Sequence, residues 1–106
     1  FGCDDCQDVC PHNHAPRPDV EAAFQPLPGR AWLDLEWLID TPPDTLEASL
    51  QGSPIRRAGA QGLKRNACVV LGNIGDPAAR AVLQRAADRP DPVVAQQARF
   101  ALDAIG

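Results

Sequence analysis

The chain has 106 residues, with 14 acidic and 10 basic side chains for a formal net charge of −4, and it contains 11 prolines, 4 cysteines and no methionine. That length supports one modest core. It has no apolar run near the roughly 18 residues of a membrane span and no basic leader followed by an apolar stretch. The expectation is a soluble, cytoplasmic protein without a membrane partner and, with no methionine at position 1 and a metal motif at the start, the C-terminal piece of a longer polypeptide.

The net charge hides a division. Residues 1–50 carry ten acidic and two basic side chains, whereas residues 51–106 carry eight basic and four acidic ones. The first half would repel nucleic acid and the second would attract it.

The chain opens on "GCDDCQDVCPHN", which places Cys3, Cys6 and Cys10 in a C-x2-C-x3-C-P pattern. These are the trailing three cysteines of the bacterial iron–sulfur run C-x2-C-x2-C-x3-C-P, whose final cysteine serves the other cluster in two-cluster ferredoxins. On that logic Cys3 and Cys6 bind one 4Fe–4S cluster and Cys10 a second, with the remaining thiolates supplied upstream. A self-contained alternative is tetrahedral zinc held by Cys3, Cys6, Cys10 and either His12 or His14. Two structural disulfides form a weaker alternative, because three of the cysteines are too crowded to staple a fold. Cys68 sits alone in the apolar stretch "RNACVVLG" and reads as a core residue.

Seven prolines lie between Pro11 and Pro43, which makes residues 15–30 an irregular connector. Helical periodicity begins at residue 31. "AWLDLEWLID" sets Trp32, Leu35, Leu38 and Ile39 on one face, with Leu33 and Trp37 forming a second patch. Both tryptophans read as packing anchors. "TPPDTLEASLQG" predicts a helix capped by Thr41, with Pro42 in its first position and Gly52 as its stop.

Three further helices are predicted near 54–71, 77–88 and 92–105. Each begins with a capping residue before a proline: Ser53-Pro54, Asp76-Pro77 and Asp91-Pro92. Gly72 and Gly75 are expected to end the first of them. "VVLGNIG" and "FALDAIG" echo each other, so that Leu71, Ile74 and Gly75 match Leu102, Ile105 and Gly106 at a spacing of 31 residues. A period of that size fits stacked helical hairpins of the HEAT type.

"FGCDDCQDVCPHN" together with "GSPIRRAGAQGLKRNACVVLGN" resembles the C-terminal third of the epoxyqueuosine reductase family. The likeness is specific over residues 1–13 and 52–73 and loose over 31–51. It implies an all-α segment of HEAT-like helical hairpins over 31–106, preceded by the tail of a ferredoxin-like iron–sulfur module over 1–14. It also implies an oxidoreductase that converts epoxyqueuosine to queuosine in tRNA, with two 4Fe–4S clusters, cobalamin and an electron donor of unknown identity. Carried over by position, Cys3, Cys6 and Cys10 are cluster ligands and five further cysteines lie upstream. The cobalamin-binding domain and the catalytic acid have no counterpart here, so the fragment alone is not expected to be active. His12 stands where the family commonly has tryptophan.

Arg56, Arg57, Lys64 and Arg65 fall on one expected helix and its start. Arg57 and Lys64 are two turns apart and align, with Arg56 and Arg65 flanking them, which makes a broad stripe for the RNA backbone. The competing reading is a non-catalytic HEAT scaffold with a zinc- or cluster-binding arm.

Overall fold

A computed structural model describes residues 3–15, 22–25, 29 and 32–106. The chain divides into two compact units, Phe1–Trp32 and Leu33–Gly106. No strand occurs among the described residues, in keeping with the all-α expectation.

In the first unit, helix α1 spans Asp5–Asp8, and Pro11 opens a 3-10 turn over Pro11–Asn13. The expected connector lies largely outside the described residues, and the part within them contains a 3-10 turn at Ala22–Phe24.

The second unit contains five α-helices: α2 (Leu35–Asp40), α3 (Pro43–Ser49), α4 (Gly59–Ile74), α5 (Arg80–Ala87) and α6 (Pro92–Ile105). Helix α6 packs against α4 and α5, α2 lies on both α4 and α5, and α3 lies on α4. Ile39, Leu46, Leu50, Cys68, Leu83 and Val94 are fully buried at the centre, each helix contributing the apolar stripe that its 3.6-residue period presents.

The Ser-Pro and Asp-Pro starts behave as the sequence predicts. Ser53 accepts from the Ile55 N–H, Asp76 from the Ala78 N–H, and Asp91 from the Val93 and Val94 N–H groups. Two of the three openings, Pro54–Ala58 and Pro77–Ala79, are 3-10 turns rather than α-helix.

Four local expectations are corrected. The helix predicted from residue 54 breaks at Gly59, whose φ of 68° lies in the left-handed region. Helix α4 starts there afresh, and its Ala60 N–H is satisfied from a distance by the carboxylate of Glu47 at 2.9 Å. Thr41 does not cap α3, since Pro42 takes that place. Thr41 instead ends α2, its hydroxyl donating to the Trp37 carbonyl at 2.6 Å. Trp32 is 92% exposed, because Asp34 caps α2 through the Trp37 N–H and the helical period does not extend back to residue 32.

The fourth correction concerns Gly72, which lies within α4 and does not end it; Gly75, with φ 72°, does so. A Cβ at Gly72 would come within 3.0 Å of both Cα and Cβ of Ala101, so this glycine sets how closely α4 and α6 approach. The 31-residue echo is therefore physical at its glycines, since Gly106 (φ 80°) closes α6 as Gly75 closes α4. At the isoleucines it is not, because Ile74 is exposed while Ile105 packs on the core.

Candidate functional site: the cysteine run and the basic face

Cys3 and Cys6 are exposed free thiols and Cys10 is half-buried. Cys6 rides on α1, whose turn is fixed by Asp8 and Val9 N–H groups donating to the Asp4 and Asp5 carbonyls. Cys10 stands one residue before the proline that turns the chain, and Asn13 closes the loop by donating from its side chain to the Gln7 carbonyl at 3.1 Å. Two exposed thiols and one half-buried thiol in this spacing are the donor chemistry an iron–sulfur cluster takes. Among the described residues, no three His, Cys, Asp or Glu side chains gather where they would hold one metal ion.

Cys68 is fully buried, and burial pushes its thiol up to about 11. It is a core side chain, as its apolar neighbours predict.

The basic stripe is rearranged. The break at Gly59 leaves Arg56 and Arg57 on the 3-10 turn preceding α4, so the two-turn alignment of Arg57 with Lys64 does not form. Lys64 is only 3% exposed. Its ammonium donates to the carbonyls of Leu38 at 2.9 Å and Ile39 at 2.6 Å, and to that of Thr41. These are orphan acceptors at the end of α2, and a cation there also complements the helix dipole. Burial, with Arg89 nearby, pulls the Lys64 ammonium below the usual lysine value. Lys64 is thus a tertiary helix cap, unavailable to a phosphate.

Arg56, Arg57 and Arg65 remain exposed. Arg56 donates to the Gln51 side-chain carbonyl at 3.0 Å, and Arg65 to that of Asn66 at 2.9 Å. Both partners are neutral amides. The ion pairs among the described residues involve only Arg85 and Arg89, with Glu36 and Asp40. Arg56, Arg57 and Arg65 therefore have no carboxylate partner among the described residues, and Arg56 and Arg57 line an open hollow with Gly52, Ser53 and Pro54. The Arg85 and Arg89 contacts hold the Asp40 carboxyl below its ordinary range, Arg85 foremost.

Comparison with known proteins gives one family name. An epoxyqueuosine reductase of Pseudomonas aeruginosa is 42% identical over 73 residues, covering 69% of this chain and 20% of that protein. One from Cellulophaga algicola is 39% identical over 66 residues, 62% of this chain and 22% of its own. One from Aliivibrio fischeri is 34% identical over 89 residues, 84% of this chain and 24% of its own. The chain is homologous to a segment of epoxyqueuosine reductases and spans about a fifth of the length of these relatives. No family model matches the chain, and no solved structure matches it.

Proposed function

We propose that this chain is the part of a tRNA-modifying epoxyqueuosine reductase that supplies iron–sulfur ligands and docks tRNA. The observation that carries the reading is identity of 34–42% to proteins of that name over most of the chain. Cys3 and Cys6 would hold one 4Fe–4S cluster and Cys10 another, completed by thiolates from outside these residues. When bound, such clusters supply one-electron transfer. The residues of α1 and the Pro11 turn position the thiols and leave two of them open to the surface. Cobalamin and the electron donor would be bound elsewhere in the enzyme, and the helices of residues 33–106 would form its HEAT-like portion.

Arg56, Arg57 and Arg65 would meet the phosphate backbone of the substrate tRNA, since they are exposed cations with no carboxylate partner among the described residues. The test is the dissociation constant for tRNA against salt concentration, in the full-length protein and in its Arg57→Ala and Arg65→Ala variants. Each lost phosphate contact releases one counterion fewer, so each variant should bind more weakly and flatten the salt slope by about one unit. Curves that superimpose on wild type would reduce these arginines to a solvated surface.

A further inference from the structure

A cavity of about 190 Å³ opens between the first turns of α4, the loop joining α5 to α6 and the start of α3. Its walls are the apolar rings of Pro43 and Pro90 and the side chain of Val94, and its polar lining is Gln61, Lys64, Arg89 and Asp91. We propose that this cavity receives one unstacked nucleobase of a bound single-stranded RNA. The proposal rests on the RNA-docking reading above and adds to it a second, base-reading point of contact.

The lining leaves few groups free, and those fit a base edge. Asp91 accepts both from Gln61 Nε2, at 2.9 and 3.1 Å, and from the Val93 and Val94 N–H groups, so its oxygens are already engaged. The Lys64 ammonium is engaged by three carbonyls. Gln61 keeps its side-chain carbonyl, an acceptor. Arg89 uses Nη2 on Asp40 and keeps Nη1 and Nε as donors, with no acceptor for them among the described residues. One acceptor and a pair of cationic donors above apolar walls match the amino and carbonyl groups on the edge of a base, and its faces suit the prolines. The volume is well below the roughly 300–1,000 Å³ of pockets for whole drug-sized ligands, which favours a single flat ring system over a complete nucleotide.

The sugar and phosphate would remain outside, and the structure places a cation for them. Gln61 and Arg65 lie one helical turn apart on the exposed face of α4, about 5–6 Å between Cβ atoms. The long Arg65 side chain can reach beyond that spacing toward the mouth of the cavity, where a backbone phosphate would lie, and is held only by a neutral amide. RNA is read mainly through such splayed single-stranded bases, because its helical major groove is too narrow for side chains.

The test uses fluorescence anisotropy of the full-length protein with two labelled probes, a short unstructured single-stranded RNA and a blunt RNA duplex. Gln61 is exposed, so Gln61→Phe can cap the cavity without disturbing the core, and unchanged far-ultraviolet circular dichroism verifies this. Gln61→Phe should weaken single-strand binding at least about fivefold, the lower end expected for one held base, and leave duplex binding unchanged. Gln61→Ala, which opens the rim, should lose less than Gln61→Phe. If Gln61→Phe affects neither probe or both equally while Arg65→Ala weakens both, tRNA docking stands and the base site is wrong. If neither substitution affects either probe, both readings fall.

Discussion

Replacing Lys64 by methionine separates the two roles that the sequence and the structure assign to it. The substitution keeps the length and apolar stem of the side chain and removes its three donors. Three carbonyls at the end of α2 then lose a partner in a site where Lys64 is 3% exposed. An unsatisfied buried acceptor costs about 1–3 kcal/mol, so the gross loss is about 3–9 kcal/mol. Against this, the protein no longer keeps an ammonium out of water, a term of several kcal/mol per buried ion. The net expectation is a destabilisation of about 2–4 kcal/mol, a large share of the roughly 5–15 kcal/mol that holds a small domain together. For a unit of this size each kcal/mol moves the midpoint by roughly 4–8 °C, so thermal unfolding followed by circular dichroism should fall by roughly 10–30 °C. Arg57→Ala, an exposed site, should stay within about 0.5 kcal/mol of wild type. A Lys64→Met protein as stable as wild type but weakened for tRNA would show that Lys64 is a surface contact and that the capping argument is wrong.

Gly72→Ala should destabilise by about 1 kcal/mol, since overpacking against Ala101 costs about 1–3 kcal/mol and the better helix propensity of alanine returns only part of it; Ala101→Gly in the same chain should not restore the urea midpoint, because the new Cβ still meets the Cα of residue 101 at 3.0 Å. Cys68 should resist a thiol-alkylating reagent at neutral pH while Cys3 and Cys6 react, because the thiolate is the reactive form and the Cys68 thiol sits at about 11; modification of Cys68 in the folded protein would contradict its burial. Asp40 and Asp91 both titrate below their ordinary value, the first through Arg85 and the second through Gln61, so the folded state binds fewer protons than the unfolded one. Stability from these groups is present at neutral pH and is lost as pH falls below about 4, and Asp40→Asn should flatten the acid limb of a urea-midpoint profile.

The helix starts were legible because they depend on neighbours in sequence. Ser53, Asp76 and Asp91 each cap N–H groups two or three residues on, and the proline beside each removes a donor that the first turn cannot use. Two features that depend on distant partners were not legible. Gly72 looked like a helix stop because nothing in its own segment shows Ala101 of α6 against it. The start of α4 carries no capping side chain of its own; its cap is Glu47, on another helix. Trp32 differs again: it fits the apolar period of the segment, but Asp34 begins the helix two residues later.

The candidate site divides along the same line. Cys3, Cys6 and Cys10 stand out because ligand spacing is a local property. Lys64 was misplaced although the sequence held a signal against exposure. It follows Leu63, stands four residues after Ala60 and four before Cys68, and so falls within the apolar stripe of Ala60, Leu63, Ala67 and Cys68 that faces the core. A basic side chain inside such a stripe is buried only if a partner waits there, and the partner is a helix end some twenty-five residues earlier. With Lys64 engaged in capping, the exposed members of the sequence-predicted basic stripe are Arg56, Arg57 and Arg65. The cavity beside Gln61 had no sequence signature, because the Gln61–Asp91 bond joins residues thirty apart and only the packing of α4 against α6 brings them together.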